Sequence, residues 1–325
     1  MSAGAAVVVD GVGKQFGNHV AVDDLSFTVP TGVIYGVLGP NGAGKSTTLR
    51  MLNDIIAPDR GRIELLGGVA PGQDAAGRVG YLPEERGLYT KMPVAEMIAF
   101  MGELRGLTAA DARRRAAAWL ERLGLAQWSK NKVGDLSKGM QQKVQFACAL
   151  IHDPELVILD EPWSGLDPIN AEVLRATVLE LKASGRTVLF STHLMEQAEQ
   201  ICDQVCIIAR GRKVLDGSLA AIKDAAGSGR TVALRFVDAA SRAVAEAGPL
   251  ADPALVGAAR PAVAGDGADL TVELATGASG DALLAALVAA RVSLRRFELV
   301  VPSLHQIFVD RVGDTARVAE RREAS

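Results

Sequence analysis

A glycine-rich segment between an apolar run and a helical pattern constrains this chain more than any other stretch. It has the form G-x-x-x-x-G-K-[ST] and consists of Gly39, Pro40, Asn41, Gly42, Ala43, Gly44, Lys45, Ser46 and Thr47. Glycines let the backbone curl so that successive N–H groups point at phosphate oxygens, and Lys45 adds a positive charge for the β- and γ-phosphates. The Ser46 hydroxyl is a suitable Mg²⁺ ligand. Residues 33–38 before it favour a strand and residues 46–53 after it a helix, so the segment predicts a phosphate-binding loop and not a flexible turn.

Length and charge leave room for two domains and remove some functional classes. The chain has 325 residues, a net charge of −3 and a pI near 5.9, which gives no general argument for binding nucleic acid or anionic lipid. No stretch reaches the ~18 uninterrupted apolar residues of a membrane span, and residues 1–9 lack the basic region of a signal peptide. We therefore expect a cytoplasmic protein that reaches a membrane only through a partner.

The cysteines indicate core packing in a reducing compartment. Cys148, Cys202 and Cys206 are odd in number, widely spaced and surrounded by apolar residues, which argues against a disulfide framework. The spacing of Cys202 and Cys206 would allow one shared helix face. A metal site would need further ligands, and the local sequence supplies none.

Strand and helix patterns alternate up to about residue 224. Strands are predicted at 7–9, 25–29, 33–38, 62–66, 79–83, 156–159 and 187–190, helices at 46–53, 170–183 and 195–202, and a hairpin at 205–215. Continuous apolar strands alternating with helices predict an α/β fold with a largely parallel sheet covered on both faces. Helical spacing between about residues 84 and 155 predicts a helical subdomain inserted into this core.

A second domain is predicted after a linker-like stretch at residues 224–229, with boundaries at 1–226 and 227–325. Strands at 231–237, 270–274 and 293–301 and helices at 239–247 and 281–291 follow, whereas 254–263 is ambiguous. This order predicts a small α+β domain of the ferredoxin-like β-α-β-β-α-β type. A last helix at 303–312 precedes a charged tail that we expect to be frayed.

Two carboxylates follow the predicted strand at 156–159. Asp160 would lie at the carboxyl edge of the sheet, where ligands bind in parallel α/β folds, and could hold Mg²⁺ through water. Glu161 could orient or deprotonate an attacking water. On their own, two such acids are equally consistent with a turn or a helix cap. Together with the phosphate loop they predict hydrolysis of a nucleoside triphosphate.

Three further motifs, in the expected order, make the chain resemble the ABC ATPases, which have a P-loop NTPase core. Residues 136–143, LSKGMQQK, resemble the signature motif, whose usual form is L-S-G-G-Q. Residues 164–167 resemble the D-loop and residues 191–193 the segment of the switch histidine. The resemblance covers roughly residues 7 to 224.

This resemblance implies a head-to-tail dimer in which each ATP lies between the phosphate loop of one subunit and the signature motif of the other. Ser137 and the Gly139 backbone N–H would face the γ-phosphate of the opposite site, and Asp167 would act across the interface. His193 would contact the γ-phosphate, and Phe16 would stack on adenine. Considered alone, His193 would more often be structural and Phe16 a core residue.

Two departures from the family pattern occur. Lys138 and Met140 replace the Gly and Gln of the usual signature motif. Glu84 stands where the family usually has a Gln that senses Mg²⁺ and touches the membrane partner. A carboxylate there can reach Mg²⁺ directly or through water, so Glu84 joins Ser46 and Asp160 as a predicted metal residue. The alternative is an ordinary turn residue.

The resemblance implies an ATP-hydrolysing motor subunit that drives a separate membrane permease and pairs with an identical or related ATP-binding subunit. Residues 295–299 and 302–308 resemble the tail of the sodium- and drug-export subgroup, which favours export. The alternative is an ABC ATPase acting on ribosomes or DNA. It is disfavoured because the chain has one phosphate loop, one signature motif and no long coiled coil. A dead regulator is disfavoured because Lys45, Asp160, Glu161 and His193 are all present.

Overall fold

The computed structural model describes residues 4–85, 87–226, 230–262, 267–309 and 311. The chain forms two compact units, one up to Leu219 and one from Ala220. This division falls at the helix Leu219–Ala225, so Asp224 and Ala225 are helical and not part of a linker. Residues 227–229 lie outside the described residues, and the boundary between 226 and 227 stays a prediction.

The strands and helices of the first unit follow the predicted alternation. Its strands are β1 (Ala5–Phe16), β2 (His19–Pro30), β3 (Ile34–Leu38), β4 (Arg60–Leu65), β5 (Val79–Leu82), β6 (Leu156–Asp160), β7 (Thr187–Thr192), β8 (Gln204–Ala209) and β9 (Arg212–Ser218). Its helices are α1 (Lys45–Leu52), α2 (Gln73–Ala76), α3 (Val94–Leu104), α4 (Ala109–Arg122), α5 (Lys138–Leu150), α6 (Pro168–Ala183) and α7 (Met195–Ile201), and α8 (Leu219–Ala225) follows them.

A six-stranded sheet with the order β5-β6-β7-β3-β8-β9 forms the centre of this unit. Its strands are parallel except for β9, which pairs with β8 in the predicted hairpin. Leu38 pairs with Thr192 and Asp160 with Ser191, so β3, β6 and β7 end at one edge. The segments that follow these strands are the phosphate loop, Glu161 and His193, and the parallel register brings them together.

A separate antiparallel sheet, with the order β2-β1-β4, lies beside this core in the same unit. The first strand was predicted only at residues 7–9, but β1 extends to Phe16, which pairs with His19 across a tight turn at Gly17. Phe16 is therefore at the end of a hairpin. This placement leaves its ring half exposed.

The helices α3, α4 and α5 occupy the region where a helical subdomain was predicted. The Thr108 hydroxyl caps α4 by accepting a hydrogen bond from the Asp111 N–H, and Ser137 caps α5 by accepting one from Met140. Ala112, Ala116 and Leu120 form the buried face of α4, because their spacing places them on one side of the helix.

The second unit has the predicted β-α-β-β-α-β order. Its elements are β10 (Thr231–Phe236), α9 (Ala239–Ala247), β11 (Val256–Pro261), β12 (Leu270–Leu274), α10 (Gly280–Ala289) and β13 (Leu294–Val300). The sheet order is β11-β12-β10-β13 with every neighbouring pair antiparallel, which confirms the ferredoxin-like fold and assigns the ambiguous segment to β11. Residues 304–309 are helical, with Leu304 and Ile307 buried, and residue 303 precedes the helix. Of the remaining predicted helical residues, 310–312, the structure describes only residue 311.

The structure corrects one expectation about the cysteines. Cys202 directly follows α7, whereas Cys206 lies inside β8, so the two do not share a helix face. Both are buried and free, as is Cys148. Burial raises the pKa of the Cys148 thiol to about 12, which makes it a poor nucleophile at neutral pH.

Candidate active site

The phosphate loop connects β3 to α1 in a conformation that its glycines permit. Gly39 has φ of 155° and Gly44 has φ of 102°. A Cβ atom on Gly39 would lie 2.1 Å from the carbonyl oxygen of Ile208, and one on Gly44 would lie 2.4 Å from that of Ala21. These distances are shorter than any tolerable contact, so glycine is required at both positions.

An open groove of about 320 Å³ lies along this loop. Its lining consists of Phe16, His19, Ala21, Asn41, Gly42, Ala43, Gly44, Lys45, Ser46, Thr47, Glu84 and Glu161. The groove thus combines the N-terminus of α1, one lysine, the side-chain hydroxyls of Ser46 and Thr47, two carboxylates and an aromatic ring. That composition suits a ligand with a polyphosphate and a flat base.

Lys45 lies inside the curl of the loop, with 5% of its surface exposed. Its Nζ donates hydrogen bonds to the carbonyl oxygens of Gly39, at 2.8 Å, and Pro40, at 3.2 Å. It also lies 3.6 Å from Glu161 Oε1. The loop therefore holds a positive charge beside N–H groups, an arrangement that attracts phosphate.

Asp160 ends β6 in an environment that leaves one oxygen without a partner. Its Oδ1 accepts hydrogen bonds from the Ser191 hydroxyl and from the Ser46 hydroxyl, the latter at 3.2 Å. Its Oδ2 is buried and has no hydrogen-bond partner among the residues that the structure describes. Burial raises the pKa of the Asp160 carboxyl, although the two hydroxyl bonds partly oppose this shift.

The unpaired Oδ2 and the neighbouring Ser46 hydroxyl are hard oxygen donors, and they fit Mg²⁺. Within the described residues, no group of three or more His, Cys, Asp and Glu side chains is placed to hold a metal ion. Magnesium in nucleotide sites needs only one or two protein ligands, because phosphate and water complete its shell. The predicted third residue, Glu84, lines the groove and is exposed.

Glu161 and His193 form a contacting pair beside Lys45. Glu161 Oε1 lies 2.9 Å from His193 Nδ1, and the carboxylate is 8% exposed. The Glu161 backbone has φ of 47°, and its N–H donates to both the carbonyl and the hydroxyl of Ser191. A left-handed conformation at a non-glycine residue is strained, and such strain is typical of functional sites. This geometry points a carboxylate into the groove, where it could accept a proton from water.

Phe16 lies on the wall of the same groove with 48% of its surface exposed, so it is not a core residue. The Nζ of Lys14 lies 5.6 Å from the centre of its ring. An exposed ring beside a phosphate loop offers a stacking surface for a base. The stacking role itself stays a prediction.

The structure does not bring Ser137, Gly139 or Asp167 into the lining of the groove. Ser137 is exposed at the start of α5, with Gly139 in the first turn. Asp167 is exposed at the start of α6, where it accepts a hydrogen bond from the Asn170 N–H. This bond lowers the pKa of the Asp167 carboxyl. Both helix N-termini are exposed to solvent, and each has a side-chain cap, Ser137 for α5 and Asp167 for α6.

Two contacts in this region were not predicted. Ser191 binds Asp160 through its hydroxyl and also accepts a hydrogen bond from the Glu161 N–H. Ser191 belongs to the S-T-H motif, in which only the histidine was predicted to act. Gln145 binds the segment that carries Glu84. No pattern in the sequence pointed to Gln145, because its partners are about 60 residues away.

The described helices include none that combines the length and the apolar character needed to cross a bilayer. This finding covers the described residues only.

Two family models match this chain. One, described as ABC transporter, matches residues 22–164. The other, described as the C-terminal domain of ATP-binding protein DrrA1-3-like, matches residues 217–312. The first match lies within residues 7–224, which resemble the ABC ATPases. The second includes residues 295–299 and 302–308, which resemble the tail of the export subgroup.

Curated proteins and solved structures give the same result. The chain is 38% identical over 307 residues to the ABC transporter ATP-binding protein YhaQ of Bacillus subtilis, which covers 94% of this chain and 98% of that protein. It is 42% identical over 211 residues to the Nod factor export ATP-binding protein I of Ralstonia nicotianae, covering 64% and 66%. A solved ATP-binding subunit of an ABC transporter superposes with a TM-score of 0.63 and 32% identity, covering 68% of this chain and 93% of that one.

Proposed function

The chain belongs to the ATP-binding proteins of ABC transporters and is an ATPase, and we propose that it is the motor subunit of an exporter. The observation that carries this proposal is the convergence of Lys45, Asp160, Glu161 and His193 at one edge of the parallel sheet, around the phosphate loop. Each group has a chemical role in ATP hydrolysis that its position supports.

In this proposal the loop N–H groups and Lys45 bind the β- and γ-phosphates, and Phe16 stacks on adenine. Ser46 and Asp160 would hold Mg²⁺, whose positive charge would offset the negative charge of the phosphates, and Glu84 would reach the ion directly or through water. Glu161 accepts a proton from the attacking water, and His193 orients Glu161 and contacts the γ-phosphate. The 2.9 Å distance between His193 Nδ1 and Glu161 Oε1 supports the orienting role of His193.

We propose further that the active form is a head-to-tail dimer. The exposed starts of α5 and α6 lie outside the groove of their own subunit, which supports an action of Ser137, Gly139 and Asp167 at the site of a second one. The N-terminus of α5 is a suitable anion-binding surface, because its backbone donors and dipole favour a phosphate. The second subunit would be a copy of this chain or a relative.

The partner of this dimer would be a membrane permease, with the chain held on the cytoplasmic face. ABC ATP-binding subunits generally work with permeases, and the relatives named Nod factor export ATP-binding protein support export over import. The resemblance of residues 295–299 and 302–308 to the tail of the sodium- and drug-export subgroup supports the same direction. An alternative action on ribosomes or DNA has no support from the names of these relatives. The second unit would serve in interaction or dimer support, and the permease would determine the cargo.

The dimer is tested by sizing the Glu161→Gln variant of the full chain with Mg²⁺-ATP. We expect light scattering to give twice the monomer mass with ATP and the monomer mass with ADP, because blocked hydrolysis should retain ATP at the interface. Adding Ser137→Arg, which places a bulky side chain at the start of α5, should restore the monomer. A monomer in ATP without that second change would contradict the dimer.

The permease is tested by co-expressing this chain with a polytopic membrane protein encoded beside it. Co-purification, together with a changed ATPase rate in the complex, would support the motor role. If the two proteins do not associate while the dimer still forms, the coupling proposal is wrong and the ATPase assignment is unaffected.

A further inference from the structure

Gln145 binds the backbone on both sides of Glu84. It lies in α5, is 5% exposed, and donates from Nε2 to the carbonyl oxygens of Pro83 and Glu85, each at 3.0 Å. The two carbonyls flank Glu84, which itself points to the groove. One buried side chain therefore holds the residue before Glu84 and the residue after it.

The orientation of this amide follows from its partners. Both partners are carbonyl oxygens, so only the NH₂ end of the side chain can face them, and it supplies both of its protons. The Gln145 Oε1 is buried and has no hydrogen-bond partner within the described part of the chain. A buried unpaired acceptor is costly, and an apolar residue of similar size would avoid that cost. The two bonds to the Glu84 segment explain why a glutamine is tolerated there.

The other contact of this segment is weaker. Arg50, in α1, lies 3.8 Å from Glu85 Oε1, and both side chains are solvent-exposed. Exposed ion pairs of this length contribute little, because solvent screens them and holding both side chains costs entropy. Of these two contacts, only the hydrogen bonds from Gln145 to the segment are made by a buried side chain.

The same helix reaches the opposite side of the groove. Gln142, 3% exposed, donates from Nε2 to the carbonyl of Pro162, the residue after Glu161, at 3.2 Å. Ser137 caps the helix at its first turn. Through these side chains α5 is bonded to the backbone beside both acids, Glu84 and Glu161.

We propose that Gln145 is a positioning residue that holds Glu84 at the groove and makes the Glu84 segment move with α5. This inference rests on the proposed function, in which Glu84 acts at the Mg²⁺ site and the start of α5 contacts the ATP of a second subunit. A displacement of α5 at that contact is transmitted by two hydrogen bonds to the backbone beside Glu84. Gln145 itself touches neither nucleotide nor metal.

The first test measures the attachment without nucleotide. An endoprotease specific for glutamate is applied to the full-length chain, and cleavage after Glu84 and Glu85 is timed by mass spectrometry. Loss of two buried hydrogen bonds in Gln145→Met should raise this rate about tenfold or more, because cleavage follows local opening of the segment. Arg115→Met is the matched control. Arg115 donates to the carbonyl of Ile151, at the other end of α5, so its loss should leave the rate unchanged.

The second test measures the consequence for Glu84. We expect Gln145→Met to raise the Mg²⁺ concentration that gives half-maximal ATPase activity by about tenfold, since a mobile carboxylate binds the ion less well. In a Glu84→Gln background, the same substitution should have little further effect on that concentration. An equal effect in both backgrounds would show that Gln145 does not act through Glu84.

A third variant covers the case in which Gln145→Met does not fold. Gln145→Glu keeps the size of the side chain but presents oxygens to both carbonyls, so cleavage after Glu84 should be at least as fast as in Gln145→Met. Unchanged cleavage in either variant, or equal acceleration in Arg115→Met, would overturn the inference. The proteolysis result is independent of catalysis, so an inactive wild-type chain would refute the proposed function and leave this test valid.

Discussion

The two units of this chain differ in what they bury. In the first, the buried side chains include charged and hydrogen-bonding groups: Lys45, Thr48, Gln142, Lys143, Gln145, Asp160, Glu161, Thr177, Thr187, Ser191 and Thr192. In the second, every buried residue that the structure describes is nonpolar. The first unit therefore contains costly interior groups that its neighbour lacks.

The difference shows where chemistry is concentrated. Burying a charge or an unpaired polar atom costs stability, so such groups persist where a reaction or a ligand needs them. The second unit consists of an apolar core under a ferredoxin-like sheet, and it can contribute through its surface. Exposed apolar residues such as Val288, at 65%, and Val244, at 47%, occur on its helices.

Among the variants that test this difference between the two units, Glu161→Gln is expected to have the largest effect. Removing the groove carboxylate should lower ATP turnover by about 10²- to 10⁴-fold while ATP still binds, because general-base catalysis contributes that much. Turnover and nucleotide affinity are measured on the same preparation. Glu196→Gln, at an exposed position of α7, is the control and should keep full turnover. Full activity in Glu161→Gln would mean that the buried acid has no chemical role.

A cavity in the second unit should lower the stability of that unit and leave ATPase activity unchanged. Leu283 is fully buried in α10, so Leu283→Ala should destabilise that unit by about 2–5 kcal/mol. Chemical denaturation followed by circular dichroism measures the shift, and ATPase activity is assayed below the transition. We expect activity to remain. If ATPase activity is lost under conditions where the second unit is still folded, the proposed separation of roles between the two units is wrong.

Lys45→Ala should weaken ATP binding. A hydrogen bond to a charged group is worth about 1.5–3 kcal/mol, so we expect affinity to fall about 10- to 100-fold. Fluorescence titration with a labelled nucleotide measures it. Lys213→Ala, which removes an exposed lysine in β9, serves for comparison. Equal affinity in Lys45→Ala and wild type would remove the phosphate role from Lys45.

Asp160→Asn should stabilise the fold and abolish turnover. Burial raises the pKa of Asp160, which means that the folded state binds its proton more readily than the unfolded chain. The ionised Asp160 carboxylate therefore lowers the free energy of unfolding when the pH rises above the usual pKa of an Asp side chain, about 4. We expect the variant to be more stable by on the order of 1 kcal/mol at neutral pH, a gain that shrinks as the pH is lowered toward that range. Thermal unfolding across pH measures this, and a variant less stable at neutral pH would contradict it.

The smallest effect is expected from Val288→Asp. Val288 is exposed on α10, so the change should alter the free energy of unfolding by no more than about 0.5 kcal/mol and leave ATPase activity as in wild type. It is the matched surface counterpart of Leu283→Ala on the same helix. A large loss of stability would indicate that Val288 is covered by a second protein molecule. Size measurements on wild type and Val288→Asp would then detect that association.

Much of the site followed from local patterns. The phosphate loop and the Asp160–Glu161 pair belong to short motifs whose chemistry needs those residue types at that spacing, whereas His193 was identified through the resemblance to the ABC ATPases. The order of strands and helices in both units also followed from periodicity. Less accurate were the ends of elements: β1 continues to Phe16, and α8 includes Asp224, because cross-strand pairing and packing decide where an element ends.

Sequence by itself therefore determined which groups this protein has for binding phosphate and moving a proton, because each group belongs to a motif only a few residues long. Only the tertiary structure decided how the groups meet. Parallel pairing of β3, β6 and β7 places distant segments at one edge, and burial leaves Asp160 Oδ2 without a partner. Gln145 reaches across a separation of 62 residues to Pro83. Contacts of this kind depend on packing between elements, which no local pattern encodes.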